Sequence, residues 1–119
     1  MTRLGLAISF GGLLVALGCQ PPAPELRPNG IGRPVSFRAE VVPILQTHCA
    51  GCHSLGRQAA AVPMFDAQGR PIHRAIKTHF FHMLMAIDEG TMPRGKPGSV
   101  PTDQVKLLKA WWEAGAPDD

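Results

Sequence analysis

Cys49-Ala50-Gly51-Cys52-His53 is the stretch around which the rest of this chain is organised. The spelling Cys-x-x-Cys-His is the attachment signal for a c-type haem. Two thiols two residues apart on a turn of helix can each form a thioether to one vinyl group of the same porphyrin. The histidine directly after the second thiol then lies under the ring and offers a neutral imidazole to the iron. The tether fixes one axial ligand, so the protein retains control of the other face, which decides between electron transfer, gas binding and catalysis. Two plainer readings compete. A zinc half-site would need four ligands, and the sequence holds no second Cys pair. A thioredoxin-like redox pair would need a strand before it and a helix after it, whereas an apolar helical stretch runs into Cys49 and His53 follows Cys52.

Composition sets the scale. A chain of 119 residues makes one domain at most. It is rich in Gly and Pro and contains no Tyr, so its own core is thin and a buried porphyrin would supply much of the missing apolar area. The net charge of +3 points only weakly to an acidic partner. No basic stripe interleaved with aromatics occurs, which argues against nucleic acid. Of three cysteines, two belong to the motif, so no pair is left for a disulfide and Cys19 needs its own account.

Upstream, Met1-Thr2-Arg3 precedes an apolar run from Leu4 to Gly18. A basic start and an apolar stretch of this length read as a secretory signal, short for a bilayer span. Ending at Ala16-Leu17-Gly18-Cys19, it resembles a bacterial lipoprotein signal, cleaved after residue 18 so that Cys19 becomes the lipidated first residue. The other readings are plain secretion with a free Cys19 thiol, or an uncleaved anchor. Export suits a haem attached outside the cytoplasm. Residues 19–34 carry Pro21, Pro22, Pro24, Pro28 and Pro34 with Gly30 and Gly32, the composition of a semi-extended tether between anchor and domain.

The domain proper, residues 35–119, reads as three helices. Ser36 is a suitable N-cap for a helix from Phe37 to Thr47, with Val41, Ile44, Leu45 and His48 on one face. Pro43 either kinks that helix or sits near the first turn of a shorter one. Ser54 to Pro71 has no sustained period and is punctuated by Gly56, Pro63, Gly69 and Pro71, an irregular loop in which Met64 and Phe65 are the residues expected to touch the porphyrin. Ile72, Ile76, Phe80, Met83, Leu84 and Ile87 mark a second helix over Ile72–Glu89, closed by Gly90. Thr102 caps a third helix reaching Ala114, with Val105, Leu108, Trp111 and Trp112 apolar; Trp111 is expected to press on the first helix near Val41 and Leu45.

Gly90-Thr91-Met92-Pro93 is the second chemical feature. A Met in a short loop past a helix, followed by proline, can present its thioether to the open axial face; a Met that merely fills a core gap is the plainer reading. Met64 is a reserve thioether and His79 and His82 are reserve nitrogen ligands. Met83 and Met85 read as packing, and His48 and His73 as surface or supporting residues. Arg94 and Lys96 flank the Met loop and either steer an acidic partner or belong to an ordinary solvated loop.

Taken together these pieces resemble the class I cytochrome c domain. Phe37 to Leu45 followed by Cys49 to Ser54 is similar to the opening of a common bacterial branch, Gly90-Thr91-Met92-Pro93 to its axial-methionine loop, and Leu107 to Pro117 to its closing helix with a Trp and a Gly-Ala-Pro ending. The resemblance covers about residues 35–119. It implies an all-α fold of about three helices around one covalent haem c, with N- and C-terminal helices crossing beside it, His53 as proximal ligand and Met92 as distal ligand. A long loop after Ser54 and a His-rich middle helix depart from it. The implied function is a monohaem carrier of single electrons between membrane-associated redox partners, lipid-anchored on the periplasmic side of a bacterial membrane, and not an enzyme. The alternative is a haem-c sensor or a small-ligand-binding, peroxidase-type domain with an open or labile sixth site.

Overall fold

The computed structural model describes residues 30–119. The expected signal segment, Cys19 and most of the tether lie outside the described residues. Helices account for all the regular structure among the described residues, and only two isolated bridges, Ser54 with Phe65 and Phe65 with Pro71, break the loops. The all-α expectation therefore holds at the level of class. No helix among the described residues is long and apolar enough to cross a membrane.

The first helical element opens with a π-helical turn, Phe37–Val41, and continues as α1, Val42–His48. The expected helix is thus divided, and of the two readings of Pro43 the second holds: it lies in the first turn of a shorter α-helix. In an unbroken α-helix the proline ring would collide with the Ala39 carbonyl and leave it without a donor. The widened turn instead lets the Ser36 carbonyl accept from both Glu40 N and Val41 N, at 3.1 and 3.2 Å, and places Pro43 in the first turn of α1, where no N–H is required. Ser36 caps as expected: its Oγ accepts from Ala39 N at 3.2 Å. The Phe37 amide donates to the Asp119 carboxylate at 2.6 Å, from the far end of the chain.

Helix α2 spans His73–Asp88 and α3 spans Thr102–Glu113. Both end in the same device. Thr91 N donates to the Ala86 carbonyl and Gly90 N to Ile87, and likewise Ala116 N to Trp111 and Gly115 N to Trp112, the paired bonds of a Schellman stop with glycine in the left-handed region. Thr102 does not cap α3; Pro101 occupies the N-cap, with no side-chain capping bond.

The core is a seam between α3, α2 and the π-turn. Trp111 is fully buried, stacked on Phe37 at 5.2 Å and met edge-on by Phe80 at 4.8 Å. Its indole Nε1–H donates to the Pro117 carbonyl at 2.9 Å, satisfying the one polar atom it carries inside. The N- and C-terminal helical elements thus pack together as expected, but α3 rests on the π-turn through Phe37. Trp112 stacks on Phe80 at 5.6 Å. Met85, expected to pack, is 43% exposed, and Phe81 is 54% exposed. Among the described residues no polar or charged residue is buried.

Glu40 is the chief electrostatic anchor of the first helix. It accepts from Arg33 at 2.6 and 2.8 Å and from the Ser36 amide at 3.0 Å. The Arg33 bond first, then the Ser36 amide, hold its carboxyl down at about 2 against an ordinary 4.5. A carboxyl depressed in the folded state stabilises fully above its unfolded value and ceases to do so as pH falls from about 4.5 to 2. Arg33 is largely exposed, so solvent screening limits the effect to about 1 kcal/mol. Urea unfolding is expected to show Glu40→Gln weaker by that amount at pH 7, the two curves converging as pH falls through this window; equal stability at pH 7 would contradict the assignment.

Candidate haem site

The Cys49–His53 motif forms one further turn at the end of α1. Cys49 N donates to the Leu45 carbonyl at 2.8 Å and His53 N to the Cys49 carbonyl at 2.9 Å, and the Ser54 hydroxyl closes onto the Ala50 carbonyl at 2.7 Å. Both motif thiols are free. The Cys49 thiol is half-buried, and burial, with the neighbouring Cys52 second, pushes it up to about 11; it is a neutral thiol at physiological pH. Cys52 is exposed, its Sγ 3.8 Å from Gln58 Oε1.

His53 is held from two sides. Its Nδ1 lies 3.0 Å from the Val62 carbonyl. A carbonyl only accepts, so this nitrogen carries the proton and Nε2 is left with its lone pair free for a metal. The His53 carbonyl in turn accepts from Met64 N at 2.7 Å and Phe65 N at 3.2 Å. The loop after Ser54 is therefore a support that sets one imidazole.

Two adjoining cavities of about 210 and 410 Å³ meet at this histidine and share His48, Cys49, His53, Met92 and Pro93 as lining. The smaller adds Val62, Met64, Val100 and a stripe of α2; the larger adds Cys52, Gln58, Arg94 and Lys96. Every residue expected to hold the cofactor, namely Cys49, Cys52, His53 and Met92, thus lines this one space. The Met92 loop hangs from the end of α2: the Ala86 carbonyl accepts from Thr91 N at 2.9 Å, Met92 N at 3.1 Å and the Thr91 hydroxyl at 3.2 Å. The reserve ligands Met64, His79 and His82 also face the smaller cavity.

Other expectations are corrected. Phe65 lines neither cavity and is a fully buried core residue. Met83 packs as expected yet also reaches the cavity wall. His48 is a lining residue bound through Nε2 to Gln104 Oε1 at 2.9 Å. His73 is structural, its Nε2 3.0 Å from the Ala116 carbonyl. The Val62 and Ala86 carbonyls, which position His53 and Met92, escaped the sequence reading because a backbone acceptor leaves no mark in residue type.

The residues fit a c-type haem on their chemistry: two free thiols, an imidazole with its outer nitrogen occupied, a thioether, and an apolar wall. Among the described residues no group of three or more His, Cys, Asp and Glu is placed to hold a bare metal ion. The chain matches no protein-family model, no curated protein and no solved structure.

Gly90 makes the Met92 loop possible. Its φ is +73°, and a Cβ there would meet Pro97 Cβ at 3.3 Å; Gly98, at φ +71°, has nothing near. Gly90→Ala is expected to cost about 1–2 kcal/mol for the left-handed backbone, plus the Pro97 contact, and so to unfold at lower urea than Gly98→Ala. Equal midpoints would show that Pro97 yields freely.

Proposed function

We propose that this chain is a monohaem c-type cytochrome, of the class I kind that its sequence resembles, which carries single electrons between redox partner proteins. The observation that carries the reading is the Val62 carbonyl on His53 Nδ1: it presents Nε2 of the motif histidine as a ligand, in a cavity that also reaches Cys49 and Met92. Cys49 and Cys52 would hold the porphyrin by adding S–H across its two vinyl groups, a step with no leaving group. Haem c supplies one-electron chemistry at iron when bound.

The chain's own residues do the rest. The Val62 contact fixes the tautomer and the plane of the imidazole. The Met92 backbone amide is held by the Ala86 carbonyl, and the thioether it carries would favour ferrous iron and a fairly high potential. With His53 and Met92 both engaged, no position remains for a substrate, which speaks for a carrier over an enzyme. Val62, Met64, Met83 and Ile87 give the cavity an apolar wall. The exposed Arg94 and Lys96 line the cavity mouth beside Cys52 and would draw an acidic partner to that edge, at a rate falling with salt. Lipidation at Cys19 would keep the domain at the periplasmic face of a membrane.

The test is the optical spectrum of ferric protein made in a host that attaches haem c. A sulfur-to-iron charge-transfer band at the red edge is expected in the wild type and is lost in Met92→Ala. A low-spin wild type without the band would replace Met92 by a nitrogen ligand, a high-spin wild type would favour a sensor or catalyst, and a colourless protein would refute the haem. Separately, Cys19→Ser is expected to release the protein from the membrane fraction and abolish lipid labelling; retention with no labelling in the wild type would refute the lipid anchor.

A further inference from the structure

Helix α2 has a further side that neither the core nor the cavity uses. Phe81 and Met85 are two of the three large apolar side chains that stand exposed among the described residues, and both belong to this one helix. At about 100° of turn per residue, Arg74, Phe81 and Asp88 follow one another along a single line, with Lys77 and Met85 on its two flanks. All five are exposed. Met83 and Ala86, which line the cavity, lie round the other side of the helix. The exposed stripe is therefore basic at its N-terminal end, apolar in the middle and acidic at its C-terminal end, where Glu89 adds a second carboxylate. The Arg74 guanidinium has no ion-pair partner among the described residues. Asp88 meets Lys109 at 3.0 Å in a pair that stays half-exposed.

A stripe of that pattern is complementary to itself turned end for end. Arg74 and Asp88 lie equally far to either side of Phe81, and so do Lys77 and Met85. When two copies of α2 pack antiparallel about a two-fold axis at Phe81, each Arg74 therefore meets the Asp88 of the other copy, and each Met85 meets the stem of Lys77. Lys77 brings only its stem, since its ammonium already donates to the Gly115 carbonyl at 2.8 Å. We propose that this face is an isologous dimer interface, and that its occupant is a second copy of this chain with α2 laid antiparallel on α2. A membrane surface fits less well, because anionic headgroups attract Arg74 but repel Asp88 and Glu89, whereas a second copy satisfies both ends. One face of a 16-residue helix is small for a specific interface, so the dimer forms reversibly. The inference does not depend on the haem reading.

The experiment is sedimentation equilibrium on the full chain carrying Cys19→Ser, so that a lipid at that residue cannot drive association. A monomer–dimer equilibrium is expected. Phe81→Glu/Met85→Glu is expected to stay monomeric at concentrations where the parent dimerises. Arg74→Glu is expected to weaken the dimer about tenfold, because the two-fold axis repeats the repulsion, and adding Asp88→Lys is expected to restore it. Within one chain these two residues stand about 21 Å apart along the helix, so the rescue reads a contact between copies. Every substituted side chain is exposed, and an unchanged far-ultraviolet circular dichroism spectrum shows that each variant is folded. A parent that is still monomeric at about 1 mM would overturn the proposal, as would a dimer indifferent to the paired Glu substitutions. An Arg74→Glu defect that Asp88→Lys does not repair would overturn the antiparallel pairing. A monomer that binds vesicles of phosphatidylglycerol and phosphatidylethanolamine, and loses them with Phe81→Glu/Met85→Glu, would put a membrane in place of the second copy.

Discussion

The bond between His53 Nδ1 and the Val62 carbonyl is the constraint on which the site depends, because it joins the motif to a segment with no regular structure of its own. Residues 54–71 contain no helix or strand, and alone they would sample many conformations at considerable entropic cost to order. They are fixed by reciprocal bonds: His53 gives its imidazole proton to Val62 and accepts two amides from Met64 and Phe65, while Leu55 N returns to Phe65 and Ile72 N to Met64. The same few bonds bury Phe65, start α2, and define which imidazole nitrogen is free. Structure and chemistry share one set of hydrogen bonds here.

The helical frame is closed at the opposite end by the chain terminus. Trp111, Phe37, Phe80 and His73 form one aromatic cluster, and the turn after α3 is fastened onto it. Gly115 and Ala116 adopt left-handed backbone, their carbonyls accept from Lys77 and meet His73 Nε2, and Asp119 takes the free amide of Phe37. A left-handed alanine is strained, and Ala116 tolerates it because it is fully buried with its amide and carbonyl both engaged. This aromatic cluster uses no residue of the cavity, whereas Met64, Met83 and Val100 belong to both the buried core and the cavity wall.

Much of this was legible in the sequence. The three helices follow from apolar spacing and from glycine stops at Gly90 and Gly115, and the cavity gathers Cys49, Cys52, His53 and Met92 because motif and loop chemistry are local signals. What stayed hidden is of two kinds. The π-turn depends on how a widened backbone resolves Pro43, for which the sequence states only the problem. The supports of the site, the Val62 and Ala86 carbonyls, are main-chain atoms brought in by tertiary folding, and any residue type offers a carbonyl. Phe65 and Met85 depart from expectation for a related reason: their hydrophobicity is plain, but which side of a loop or helix meets the core depends on partners distant in sequence.

The two faces of α2 carry the last step. One face buries Ile76, Phe80 and Leu84 against the frame, as any core helix does. The other keeps His79 and His82 at one end of a stripe whose remaining members are Met83, Ala86 and Ile87. The middle helix therefore serves the core with one set of residues and the cavity with another, and the two sets are separated by helical face alone.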